Sequence, residues 1–253
     1  LVRIEDLDLP RVVPGSAAGI LTTLERFGFE WDGEVVCQST RIPSYLDALE
    51  ALRSRGLTFT CSCSRAELAA DERYPGHCRT APRIAGTPTA TRLRVEPGHV
   101  QFSDRIQGMF RQDVAAAIGD VVLRRRDELI AYLLAVVVDD AAQGITHVVR
   151  GADLLDNTPR QIYLQRQLGL PTPSYAHVPV LVEADGRKLA KSARSVRADA
   201  GTAVTQLAQV FELLSLSPPA ELQRGSLQDA WRWALRRWNM AAIAPRLTRS
   251  LSP

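Results

Sequence analysis

Apolar and polar positions along this chain follow two periods, one helical and one extended. "AAGILTTLERFGF", after "VPGS", spaces its apolar residues for a helix with Ser16 as its cap. "SYLDALEALRSRG" predicts a second helix, capped by Ser44 and ended by Gly56. "LTFTCSC" is rich in β-favouring residues and predicts a strand running straight into a pair of cysteines. Short strands are expected at "TRLRV", "QFSDRI", "GDVVLRR", "THVVRG" and "HVPVLV", with the helix "TPRQIYLQRQLG" between the last two. The longest purely apolar run, "IAYLLAVVV" at 130–138, is closed by two aspartates and predicts a buried strand with Tyr132 near its start. It is far shorter than the ~20 residues a bilayer-spanning helix needs.

Alternating strands and helices in the outer segments predict an α/β fold with a parallel sheet. The Pro-, Gly-, Thr- and Ala-rich stretch 79–98 predicts a loop-rich, mainly β insertion, and beyond about residue 200 the pattern is helical to the end. The expected division is 1–56, first part of the main domain; 57–125, insertion; 126–195, second half of the main domain; 196–253, helical C-terminal region.

At 253 residues the chain can bury a core without crosslinks, and 45% hydrophobic with 23% charged residues excludes wholesale disorder. "LVRIEDLDLP" has neither the apolar segment nor the cleavage site of a secretory signal, so a reducing cytoplasm is expected, where disulfides are rare. A net charge of +3 does not by itself indicate a nucleic-acid partner. Arg232, Arg236, Arg237, Arg246 and Arg249 stand near Trp231, Trp233 and Trp238. That mixture suits a phosphate backbone, but the favoured expectation is an amphipathic helix with its tryptophans inward.

"CSCSRAELAADERYPGHC", residues 61–78, holds three of the four cysteines. A Cys61–Cys63 disulfide would close a strained ring. Three buried thiols remain an alternative, but clustering favours a tetrahedral metal site with Cys61, Cys63 and Cys78 as three donors. For the fourth, His77 is the default donor, although its side chain diverges from that of adjacent Cys78. Tyr74 can converge around Pro75-Gly76, but a phenol must first lose a proton of pKa ~10. Cys37 lies apart and is expected in the core.

"DGRKLAKS" at 185–192 sets Lys188 and Lys191 on a Gly-containing loop able to fold over a triphosphate, although such lysines are most often simply solvated. Arg150 ends an apolar strand, where α/β sheets bind ligands, and a buried guanidinium there needs an anion: Asp153 or a ligand's carboxylate. Tyr132 offers a hydroxyl to the same ligand, or packs at the sheet edge. Glu5 offers a carboxylate to a ligand ammonium, or pairs with Arg3 or Arg41.

In order and spacing, "RIEDLD", "AYLLAVVVDD", "THVVRGADLL", "TPRQ", "YAHVPVL" and "KLAKS" make residues 1 to about 195 resemble the class I glutamyl-tRNA synthetases. The Cys-x-Cys, Tyr, Cys arrangement, and an end about sixty residues past the lysine loop, too soon for an anticodon-binding domain, are similar to truncated relatives of those enzymes. The resemblance implies a Rossmann-type catalytic domain that activates L-glutamate with ATP and transfers it to the queuosine base in the anticodon of tRNA(Asp), in a cytoplasmic monomer. By motif it implies Glu5, Tyr132 and Arg150 as glutamate-binding, Lys188 and catalytic Lys191 as ATP-binding, Mg2+ with the ATP, and one structural Zn2+ on Cys61, Cys63, Tyr74 and Cys78. Two alternatives stand beside it: a fragment of a conventional glutamyl-tRNA synthetase, and a catalytically dead zinc-stabilised tRNA-binding module. The family's first signature, an Arg-Phe-Ala-Pro-Ser-Pro-type strand with a His-Ile-Gly-His-like helix start, is absent before "LVRIEDLD", so weak ATP binding is expected of the sequence as it stands. Ala190 replaces the usual serine of the lysine loop, and Leu133 a polar residue; both are expected to be tolerated.

Overall fold

The structure, a computed structural model, describes residues 1–68, 73–82, 84–182 and 200–250. From the N-terminus, β1 (Arg3–Ile4) leads through a loop to α1 (Ser16–Arg26), β2 (Val36–Cys37), α2 (Ile42–Ser54) and β3 (Thr58–Cys61). Then come α3 (Arg65–Leu68), β4 (Ala90–Leu93), β5 (His99–Asp104), β6 (Gly108–Asp113), α4 (Val114–Ala117) and β7 (Val121–Arg124). The chain continues through α5 (Tyr132–Ala142), β8 (His147–Gly151), α6 (Thr158–Leu168), β9 (Ser174–Val178) and β10 (Val180–Val182), and later α7 (Ala203–Leu213), α8 (Leu227–Arg237) and β11 (Thr248–Ser250).

The apolar run 130–138 is not a strand. It forms most of α5, in which Leu134, Ala135, Val136, Val137 and Asp139 are all buried. A helix enclosed on nearly all sides loses its polar stripe, and in a run this short that is indistinguishable by pattern from a buried strand. Tyr132 therefore opens a helix. Neither expected serine cap holds: Gly15, at φ 80°, precedes α1, and α2 starts at Ile42 with Pro43 in its first turn, where the missing N–H is harmless. Cys37, expected in the core, is half-buried. The described chain ends in a strand rather than in helix, β11 pairing parallel with β10.

The main sheet has the order β6-β5-β9-β8, with β5, β9 and β8 parallel and β6 antiparallel at one edge. β3, β4 and β7 form a separate antiparallel sheet, and β1 pairs parallel with β2. One apolar core joins α2, α5 and α6 to strands of both larger sheets through Leu52, Leu93, Leu123, Leu134, Leu164 and Tyr175. A second joins Phe27 to α7 and α8. There Trp231 donates to the Phe27 carbonyl at 2.7 Å and Trp233 packs near Phe211, while Arg236 and Arg237 are exposed. The inward-tryptophan expectation holds for these two; Trp238 is exposed. No helix among the described residues is long and apolar enough to cross a membrane.

One carboxylate ties these elements together. Asp139, on α5, is fully buried. It accepts hydrogen bonds from Gln38 Nε2 (2.9 Å), Arg41 Nε (2.6 Å) and the Tyr45 hydroxyl (2.7 Å). Burial first, then this hydrogen bond, pushes the Tyr45 phenol well above its ordinary range, so it remains a donor. Next to it, Asp140 and Gln143 hold Arg3 at 2.8 and 2.7 Å, fastening β1 to the same helix. Replacing Asp139 with Ala strands a buried amide and phenol and a part-buried guanidinium, and is expected to cost about 3–5 kcal/mol of stability. Urea denaturation checks this; an unchanged midpoint and slope contradict it.

Candidate active site and metal centre

β1, α5 and β8 converge on a cavity of about 370 Å3 lined by Glu5, Tyr132 and Arg150. Glu5 follows β1 directly, Tyr132 is the first residue of α5, and Arg150 is the penultimate residue of β8. Glu5 and Tyr132 also line a second cavity of about 760 Å3, whose wall includes Arg92, Arg125, Arg126 and Cys63. Lys188, Ala190 and Lys191 lie outside the described residues.

Arg150 is held by neutral groups. Its Nε donates to His177 Nε2 at 3.0 Å, and its Nη2 donates to Thr158 Oγ1 at 2.8 Å, Gln161 Oε1 at 2.7 Å and, more weakly, the Leu154 carbonyl at 3.5 Å. The guanidinium also lies 5.5 Å from the centre of the Tyr175 ring. Among the described residues no carboxylate comes within ion-pair distance of it, Asp153 included. These contacts fix its direction without cancelling its charge, which is what an anion-binding arginine requires.

Glu5 lies 3.7 Å from Arg3 Nη2, whereas Arg41 is taken by Asp139. Partial burial raises the Glu5 carboxyl, opposed by Arg3 and reinforced by Asp140 and Asp139. Tyr132 is 41% exposed. Its phenol is raised by burial and then by the Glu5 charge, with Arg150 opposing, so it meets a ligand as a neutral donor. A carboxylate, a phenol and a guanidinium that no described carboxylate pairs with, all facing one cavity, suit a small zwitterion with an additional negative group.

The second centre lies at the end of β3, an edge strand of the antiparallel sheet. Cys61, Cys63 and Cys78 are free and buried, and their sulfurs all lie within 4.8 Å of one another. Cys63 and Cys78 are 3.6 Å apart, close to the ~3.8 Å edge of a tetrahedron built on metal–sulfur bonds of ~2.3 Å. Buried Tyr74 brings its hydroxyl to the same point, accepting from the Cys78 backbone N–H at 3.0 Å and hydrogen-bonding with Cys61. His77 is exposed and is not among the converging donors. Burial pushes the Cys63 thiol up to about 11, its cysteine neighbours adding to the shift, and it pushes the Tyr74 phenol up as well. Protonated, these groups fill a dry pocket to little purpose; a dication that displaces their protons suits them.

The surroundings fix that cluster. Arg79, next to Cys78, grips Asp120 with two hydrogen bonds of 2.8 and 2.7 Å, and the Arg92 guanidinium lies 3.9 Å over the Tyr74 ring. Gly119, at φ 78°, packs on the Tyr74 backbone so tightly that a Cβ would come 2.3 Å from its carbonyl oxygen.

Sequence reasoning passed over Asp104, Asp139 and His177 as individual residues. The available signal was modest: a histidine inside the otherwise apolar strand "YAHVPV" and an acid inside "QFSDRI" are polar groups that burial obliges to find partners.

A family model for the catalytic domain of class I tRNA synthetases (E and Q) matches residues 1–207. The glutamyl-Q tRNA(Asp) synthetase of Pseudomonas paraeruginosa is 51% identical over 249 residues, covering 98% of this chain and 85% of that protein. Its counterpart in Aromatoleum aromaticum is 46% identical over 259 residues, covering 100% of this chain and 82% of that protein. Among solved structures, the glutamate-tRNA synthetase of Elizabethkingia anophelis superposes with a TM-score of 0.77 at 21% identity, and the glutamate tRNA ligase of Elizabethkingia meningosepticum with 0.76 at 20%. Each covers 99% of this chain, which spans 60% of the length of either, and at such identities the likeness shows the fold.

The clustered donors carry a direct prediction. Mass spectrometry of the purified protein is expected to find about one divalent metal per chain, falling towards zero in Cys61→Ser and Cys78→Ser while His77→Ala retains it. Equal metal content in all four proteins would contradict this donor set.

Proposed function

The chain belongs to the class I tRNA synthetase (E and Q) catalytic-domain family, and from that premise we propose that it activates glutamate with ATP and transfers the glutamyl group to the queuosine base in the anticodon of tRNA(Asp). The observation that carries the reading is the convergence of Glu5, Tyr132 and Arg150 on one cavity. Relatives about half identical over nearly the whole chain, which carry the tRNA(Asp) name, support the choice of acceptor. They also disfavour the alternative of a piece of a conventional glutamyl-tRNA synthetase.

In this reading the Glu5 carboxylate accepts from the ammonium of bound glutamate. Arg150, with Tyr132 beside it, takes the side-chain carboxylate. The α-carboxylate has to stay available as the nucleophile, and a full guanidinium pairing there would withhold its electrons. Glutamine is disfavoured at the same point, because its neutral amide leaves the charge of Arg150 unanswered. An α-carboxylate oxygen then attacks the α-phosphorus of ATP in line, the bond to pyrophosphate breaks, and glutamyl-adenylate remains. Positioning and charge stabilisation supply most of such a rate, with Lys188 and Lys191 assigned to the phosphates and Mg2+ accompanying the ATP. A hydroxyl of the cyclopentene ring of queuosine next attacks the adenylate carbonyl, forming an ester and releasing AMP.

Cys61, Cys63, Tyr74 and Cys78 are assigned to one structural Zn2+ that stiffens residues 57–125 and takes no part in the chemistry. The larger cavity beside that region, with Arg92, Arg125 and Arg126 on its wall, is assigned to the acceptor nucleoside. Residues 1–56 and 126–195 are assigned to the catalytic part, joined in the main sheet by β5 and β6 from within 57–125, and 196–253 to the C-terminal region, in a protein that works as a cytoplasmic monomer.

The test uses the full-length gene product with radiolabelled glutamate. It is expected to support glutamate-dependent ATP–pyrophosphate exchange without tRNA and to label tRNA(Asp) only when queuosine is present; equal labelling of queuosine-free tRNA rejects the reading. Glu5→Gln and Arg150→Gln are each expected to raise the KM for glutamate by roughly 10- to 100-fold, the loss of one charged contact.

A further inference from the structure

Behind Arg150 the structure holds a buried relay that none of the chemistry above uses. His177, on β9, is fully buried, and its Nδ1 lies 2.6 Å from Oδ2 of Asp104 at the end of β5, itself 2% exposed. The other oxygen of Asp104 accepts backbone N–H groups from Ile106 (3.0 Å), Gln107 (2.8 Å) and His177 (3.1 Å). Such donors favour the ionised carboxylate, and despite burial the Asp104 carboxyl is lowered from its ordinary range. An ionised Oδ2 can only accept, so Nδ1 of His177 carries the hydrogen. On the far side of the ring, Nε2 faces the Nε–H of Arg150 at 3.0 Å. That contact is a hydrogen bond only if Nε2 keeps its lone pair. The neighbouring Thr158 hydroxyl, 3.2 Å from Nε2, accepts from Arg150 and is placed to donate to the Leu154 carbonyl. Burial first, and the Arg150 charge as well, favour the neutral ring, outweighing Asp104.

We propose that Asp104 and His177 are positioning residues for glutamate recognition: the carboxylate locks the histidine in its Nδ1–H tautomer, and the histidine lone pair steers the Arg150 guanidinium into the cleft. The inference rests on the reading of Arg150 as a glutamate-binding residue. It adds that the direction of that guanidinium is set by a tautomer chosen at Asp104, which reaches the amino acid only through His177 and then Arg150. Asp104→Asn then acts at a distance. The amide keeps an oxygen for the backbone donors but turns an N–H towards Nδ1, which moves the ring hydrogen to Nε2 and sets two N–H groups against each other at Arg150.

Four variants and one spectrum test this. Asp104→Asn and His177→Leu are expected to raise the KM for glutamate in pyrophosphate exchange at least ~10-fold while changing the KM for ATP less than ~2-fold, a split that general loosening of the fold would not produce. His177→Gln, whose amide oxygen can take the place of Nε2, is expected to recover most of the loss. If Asp104→Asn and His177→Leu fold and bind glutamate as the parent does, or if His177→Gln is as poor as His177→Leu, the positioning role is rejected. Arg150→Gln separates the two levels. No effect of that variant on the glutamate KM overturns the underlying reading, whereas a large effect there with none at Asp104 and His177 overturns only the relay. Nitrogen-15 NMR of the unaltered protein needs no variant to fold: the one buried histidine of the four is expected to be neutral with its proton on Nδ1 at pH 7.5, and a proton on Nε2 overturns the proposal.

Discussion

A carboxylate at the centre of a protein is sustainable only if donors and counter-charge answer it, and Asp139 is answered by three hydrogen bonds and a nearby guanidinium. Gln38 and Arg41 come from the turn before α2, Tyr45 from α2 itself, and Arg3, on β1, lies 4.0 Å from the carboxylate. None of these donors can shift without leaving charge or a polar hydrogen stranded in an apolar core. The register of β1 against α5 follows, and with it the place where Glu5 emerges two residues later. Apolar burial supplies the bulk of the cohesion here, but it is non-directional and tolerates sliding. The buried carboxylate supplies the direction.

Arg150 shows the opposite arrangement. Its Nε and Nη2 hydrogens are occupied by an imidazole, a hydroxyl and an amide, all uncharged, so its geometry is fixed with no carboxylate among the described residues to cancel its charge. Set side by side, the two groups differ in how the fold answers their charge. Asp139 is answered by charged and polar donors within the fold, whereas among the described residues Arg150 has no carboxylate within ion-pair distance. Arg3 falls between them, paired with Asp140 and close enough to Glu5 to temper it.

How much of this was legible in the sequence depended on the range of the interaction. The cysteine cluster was plain, because three thiols within eighteen residues have few explanations and the turn at Pro75-Gly76 brings Tyr74 back locally. Glu5, Tyr132 and Arg150 were reached through motif order and were indeed brought to one cavity, although Tyr132 arrives there on a helix. That misreading has a simple origin: α5 is buried on nearly all sides, and its sequence carries no stripe to announce a period of 3.6. β6 went unassigned because "GMFRQD" sits at an edge with little burial to impose alternation. The partnership of Asp104 with His177 spans 73 positions and became visible only when β5 and β9 lay side by side.

Glu5 and Tyr132 line both cavities, so the smaller and the larger share two side chains of wall. A change of size or charge at either residue therefore reshapes both chambers at once, and neither can be remodelled independently of the other.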